Sequence, residues 1–185
     1  MAPFGRLPRD LLGRYVKKTL VLGIGNVLLS DDGAGVHVAR KLAQDLAGSE
    51  DVEVIDGGTL SFTLAPLISA AQRLIILDAT ELGLSPGTVQ TFVGAEVDGL
   101  FGRTRLTVHE VNLRDVLDIA RLMGAIPAER ALVGIQPASL GWGMVPTPAV
   151  SSALEHATGN VLELLASSHW CATNALQTGS RPENR

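Results

Sequence analysis

Apolar and polar positions along the chain switch repeatedly between two periods. Thr19-Leu-Val-Leu-Gly-Ile-Gly25 is a nearly continuous apolar run ending in glycines, the pattern of a strand buried on both faces. From about Asp32 to Leu46 the apolar residues Val36, Ala39, Ala43 and Leu46 fall near helical spacing, and Ser30, Asp31 and Asp32 supply cap or first-turn residues. Val52 to Asp56 predicts a second strand stopped by Gly57-Gly58, and Leu60 to Ala70 a helix that contains Pro66. Arg73 to Asp78 predicts a third strand with a carboxylate at its C-terminal end. Beyond the turn Ser85-Pro86-Gly87, Thr88 to Val93 alternates and predicts a half-exposed strand. Residues 94–108 read as loop and Val111 to Met123 as a helix ended by Gly124 and Pro127. Ala131 to Ile135 predicts a fifth strand, 136–148 a Gly/Pro-rich loop, and Val150 to Ala166 a closing amphipathic helix.

Strands alternating with helices imply an α/β domain around a mainly parallel sheet. Ligands of such sheets bind outside the carboxyl ends of the strands. The residues just after 25, 56, 78 and 135 therefore carry the functional weight.

Charge refines the picture. Net charge is −4 over 185 residues, which argues against a nucleic-acid binder. Residues 1–18 carry five Lys/Arg and one Asp, and 168–185 carry two Arg and one Glu. Between them, 19–167 holds 8 Lys/Arg against 17 Asp/Glu. The expected organisation is a basic extension over 1–18, one α/β domain over 19–167 and a flexible tail over 168–185. The lone Cys171 excludes an internal disulfide. No apolar run reaches the ~20 residues of a membrane span and no signal-peptide core is present, so a cytoplasmic protein is expected.

Gly23-Ile-Gly25 opens like a dinucleotide-binding turn. Leu28 stands where the third glycine belongs, and Asp31 and Asp32 lie where a pyrophosphate wants positive potential. A phosphate-binding loop with Gly-Lys-Ser/Thr is absent. Glu110 follows His109, but position 113 is Leu113, so the zincin pattern fails. His37, His156 and His169 read as surface or partly packed positions. Asp32, Asp78 and His109 are two carboxylates and an imidazole from three segments expected to face the crevice. Such a set binds a divalent transition metal with open positions, or performs general acid/base work without one. Helix capping accounts for one of the paired aspartates, and a turn cap is the bland role for Asp78.

These residues resemble the [NiFe]-hydrogenase maturation proteases over roughly 19–165. The resemblance rests on Leu22-Gly23-Ile24-Gly25-Asn26, Asp31-Asp32-Gly33-Ala34-Gly35, Asp56-Gly57-Gly58-Thr59, Ile76-Leu77-Asp78-Ala79, His109-Glu110 with Leu113, and Val133-Gly134-Ile135-Gln136-Pro137. It implies a three-layer fold, a five-stranded twisted sheet with helices on both faces. It implies an aspartic-type endopeptidase that trims the C-terminal extension of a hydrogenase large-subunit precursor after nickel insertion, activating the hydrogenase. Asp32, Asp78 and His109 would contact the metal and carry catalysis, the nickel being held by the substrate rather than tightly by the free enzyme. Asp56, Gly57 and Gly58, with Asp31, match positions linked to substrate recognition. The side chains of Asp32 and His109 are expected to face solvent. A nickel-binding chaperone using the same three ligands is the competing reading, and a nucleotide-dependent enzyme a third. A monomer that meets one large folded partner is expected, with neither nucleic acid nor membrane involved.

Overall fold

The computed structural model describes residues 19–59, 64–101, 117–122 and 124–170. Among these residues five strands form one sheet: β1 (Thr19–Ile24), β2 (Val52–Gly58), β3 (Arg73–Ala79), β4 (Val89–Val93) and β5 (Glu129–Ile135). Their spatial order is β2-β1-β3-β5-β4. The first four in that order pair in parallel and β4 is an antiparallel edge. Among the described residues four helices accompany them: α1 (Ala34–Asp45), α2 (Ala65–Ala70), α3 (Ala95–Phe101) and α4 (Pro148–Ala166), with a further helical segment over 117–122. The expected five-stranded, mainly parallel α/β architecture is what the chain adopts.

The period-2 geometry of strands splits the core in two. Leu20, Leu22 and Ile24 of β1, Leu74 and Ile76 of β3 and Leu132 of β5 bury against α2, α3 and the 117–122 segment. Val21, Ile75, Leu77, Val133 and Ile135 bury against α1 and α4. Both faces of β1 and β3 are therefore covered, which is why their sequences are apolar without alternation. Each fully buried Leu or Ile contributes roughly 1.5–3 kcal/mol relative to exposure.

Three expectations are corrected. Residues 95–101, read as loop, form α3. Its seven residues include Gly99, so propensity is weak, but the Glu96 carboxylate accepts the Val93 amide at 3.2 Å, and Asp98 is paired with Arg121 and Arg130. Strand β2 does not stop at Asp56. It runs to Gly58, because a bulge lets Gly58 pair with Ile24 after Asp56 has paired with Gly23. Packing also continues past residue 167. The Arg73 guanidinium lies 4.0 Å from the Trp170 ring centre, and the Trp170 indole donates to the Leu164 carbonyl at 2.8 Å. Pro66 and Pro148, by contrast, sit in the first turns of α2 and α4, where a missing amide hydrogen costs nothing. The basic extension, Cys171, residues 102–108, and the outer parts of the helices expected over 60–70 and 111–123 lie outside the described residues.

Glycines set how closely α1 approaches the sheet. A Cβ on Gly35 would stand 2.2 Å from the Leu77 carbonyl oxygen and 2.5 Å from that of Ile24. Gly35→Ala is therefore expected to push α1 off the ends of β1 and β3, at about 3 kcal/mol or more, the upper range for overpacking. Urea unfolding checks it; a loss below about 0.5 kcal/mol contradicts this packing account.

Candidate functional site

The sheet reverses its winding between β1 and β3. The chain passes from β1 to β2 on one side, and β3 then lies on the other side of β1. The carboxyl ends of β1 and β3 therefore border the crevice where open α/β sheets place ligands. Asp32 follows β1, in a 3-10 turn over Ser30–Gly33 that leads into α1. Asp78 is the penultimate residue of β3. The short turn and β3 pack together, and the first turn of α1 reaches the Leu77 carbonyl through Gly35. Two of the three expected chemical groups are thus carried to neighbouring strand ends. The third, His109, lies outside the described residues.

Both carboxylates are withdrawn from solvent: Asp32 is 4 % exposed and Asp78 2 %. This corrects the expectation that Asp32 faces solvent. One of its oxygens, Oδ2, accepts the Asn26 amide at 2.8 Å. The Asn26 side chain in turn accepts the Leu28 amide at 3.0 Å, which fixes the turn beneath. Gly25 makes that turn possible: its φ is +131°, and a Cβ there would stand 1.8 Å from the Asp32 carbonyl oxygen. Strand alternation puts Asp78 on the face of Leu74 and Ile76, opposite Gly134 in the register of β3 and β5.

Asp31, adjacent in sequence, does something different. It is 0 % exposed. Its Oδ2 accepts the amides of Ala138 (2.8 Å) and Ser139 (3.0 Å) and the Thr147 hydroxyl (2.9 Å), and its Oδ1 the Thr147 amide (2.6 Å). Burial alone would push this carboxyl up, but the donors from Thr147, Ala138 and Ser139 outweigh it and hold it below its usual range. Asp31, expected to support substrate recognition, anchors the 137–147 loop to the start of α1. Ser30 helps: its φ of +49°, rare for a side-chain-bearing residue, lets its amide donate to the Gly143 carbonyl at 2.6 Å and its hydroxyl to the Val145 carbonyl at 3.1 Å.

Asp56, Gly57 and Gly58 border the same end of the sheet, beside β1. The Asp56 carboxylate pairs with Arg40 of α1 at 2.8 Å and accepts the Gly58 amide at 3.0 Å. Gly57 occupies the bulge, where a Cβ would stand 2.8 Å from the Leu22 side chain. His37, half-buried on α1, is held below the usual imidazole range by burial and by Arg40, with Asp56 opposing.

The Gln136 side chain, directly after β5, positions the rim that follows β3. Its carbonyl accepts the Leu82 and Leu84 amides at 2.7 and 3.2 Å, and its amide donates to Glu81 at 3.1 Å. The signals in the sequence were its place directly after the fifth apolar strand and within the Val133-Gly134-Ile135-Gln136-Pro137 motif. Among the described residues no three His, Cys, Asp or Glu side chains are grouped to hold a metal ion. Asp32 and Asp78 each carry hard oxygen donors of the kind that divalent cations take. No described helix is long and apolar enough to cross a membrane.

Residues 36–164 match the hydrogenase maturation protease family. The hydrogenase expression/formation protein HupD of Rhodobacter capsulatus is 35 % identical over 150 residues, covering 80 % of this chain and 71 % of that one. The hydrogenase 2 maturation protease of Escherichia coli K12 is 36 % identical over 152 residues, 82 % of this chain and 92 % of its own. The solved structure of the hydrogenase maturating endopeptidase HybD from E. coli superposes with a TM-score of 0.74 at 35 % identity, over 80 % of this chain and 91 % of that one.

Proposed function

The chain belongs to the hydrogenase maturation protease family and is a hydrolase of the endopeptidase class, and from that premise we propose that it removes the C-terminal extension of a [NiFe]-hydrogenase large-subunit precursor once nickel has been inserted. The observation that carries this reading is the placement of two buried carboxylates, Asp32 and Asp78, at the adjoining ends of β1 and β3. His109 is proposed as the third group. All three contact nickel that belongs to the substrate, so the free enzyme has no need to hold the ion tightly. Asp56 with Gly57 and Gly58 borders the groove for the precursor chain.

Nickel seated in the substrate beside Asp32, Asp78 and His109 would polarise the scissile carbonyl or activate the water that adds to its carbon. The carbon–nitrogen bond then breaks to give a carboxylate and an amine. Polarisation of this kind supplies several kcal/mol of transition-state stabilisation. One of the two aspartates takes the proton of the attacking water and returns it to the leaving amine. Substrate checking follows from the same contacts, since a nickel-free precursor lacks the anchor. We place this action in the cytoplasm, with the protease a monomer that engages one large folded partner.

The test is direct. Purified protein is incubated with nickel-loaded and nickel-free precursor, and the large subunit is weighed by mass spectrometry. Shortening of the nickel-loaded form alone is expected. A precursor that is bound but left intact would mean a chaperone, and equal shortening of both forms would remove the nickel requirement.

A further inference from the structure

The site has an apolar rim that the carboxylates do not use. Between Arg130 and Glu155 the sequence contains no charged residue. That stretch includes the 137–147 loop, on which Trp142 is 86 % and Met144 71 % exposed, with Leu140 and Val145 exposed beside them. Leu28, on the loop after β1, is exposed as well. The two loops are bound together: the Gly143 amide donates to the Leu28 carbonyl at 3.0 Å, and the Ser30 amide to the Gly143 carbonyl at 2.6 Å. Soluble domains seldom leave a large aromatic and its apolar neighbours uncovered without use.

This loop is not a loose tip. The buried Asp31 carboxylate holds it at Ala138, Ser139 and Thr147, and the next residue along the chain is Asp32. The same turn thus presents the candidate catalytic carboxylate and fixes the apolar surface. An endopeptidase must seat the polypeptide on either side of the bond it cuts. A rigid, uncharged rim selects a segment of like character, because a charged one would be desolvated against it with no partner.

We propose that the rim formed by Leu28, Leu140, Trp142, Met144 and Val145 docks an uncharged, apolar stretch of the substrate polypeptide adjoining the scissile bond. Trp142 serves as the anchor, as large exposed aromatics do at interfaces. The inference rests on the reading above, that a hydrogenase precursor is the substrate.

The experiment compares W142S/M144S with the unaltered protein on nickel-loaded precursor. Both positions are exposed, so the fold should survive; thermal unfolding confirms that. The double variant is expected to raise KM tenfold or more with kcat within about twofold. Placed in an Asp32→Asn background, which leaves the precursor uncut, it is expected to weaken precursor binding by a similar factor. Precursors in which the apolar residues beside the scissile bond are changed to Asp should lose the same affinity against the unaltered protein and little against W142S/M144S. Unchanged KM and binding overturn the proposal, as does a double variant whose sole defect is loss of self-association in sedimentation, which would assign the rim to a second copy of this chain. Failure of the unaltered protein to shorten the precursor would instead strike at the proposed function, and the inference would fall with it.

Discussion

Asp32→Asn is expected to abolish shortening of a nickel-loaded precursor, by a factor of about 10²–10⁴ in kcat, while leaving thermal stability within about 1 kcal/mol. The substitution is nearly isosteric. An amide oxygen can still accept the Asn26 hydrogen bond that Oδ2 accepts at 2.8 Å, so the turn keeps its partner. What disappears is the negative charge and the ability to bind a cation or take a proton. Asp32→Ala is a poorer probe, because it strips the acceptor from a part-buried amide, a loss of about 1–3 kcal/mol. Asp78→Asn, at a position 2 % exposed, should behave like Asp32→Asn. His109→Ala should abolish processing too. Circular dichroism and mass spectrometry on the same samples separate loss of chemistry from loss of fold. Near-normal shortening by Asp32→Asn or Asp78→Asn would sink the assignment of these carboxylates.

The largest loss of stability is expected from the neighbouring residue. Asp31→Ala removes the acceptor from three backbone amides and one hydroxyl at once. Buried donors left without a partner cost ~1–3 kcal/mol each, and partial rehydration of the loop brings the sum to roughly 3–5 kcal/mol. Its pH dependence has a definite sign. The native carboxyl lies below its ordinary value of 3.8. Its charge therefore stabilises the fold fully above that value, and the contribution is lost as pH falls through the lower native value. Denaturation curves of the protein and of Asp31→Asn should differ most above about pH 4 and converge in stronger acid. A difference that stays constant from pH 7 to pH 2.5 would mean that the carboxylate is not what holds the loop.

The architecture was legible because its signals are local. Runs such as Leu20 to Ile24 and Leu74 to Leu77 are apolar since both faces of each strand are covered, and no distant information is needed to see that. Helix α3 was not legible. Its seven residues form through contacts that Asp98 makes with Arg121 and Arg130, which lie 23 and 32 positions away. The extension of β2 through Gly57-Gly58 was hidden for a related reason. Glycines ordinarily end a strand, and here they are what allows the bulge against β1.

The candidate site divides along the same line. The sequence by itself determined that carboxylates follow the first and third strands, and that the order of its short motifs is that of a maturation protease. Apart from the family resemblance, which put Asp32 at the metal and Asp31 with substrate recognition, local chemistry did not separate the two. Both are acidic, both open a helix, and they are adjacent. Successive residues of a tight helical turn point about 120° apart, so one is directed at the 137–147 loop and the other at Asn26. Which of the two became the anchor was decided by a loop more than 100 residues further along the chain. Only its closure over Asp31 makes that carboxylate the anchor of the loop, while the equally buried Asp32 takes the Asn26 amide and is left for the proposed chemistry.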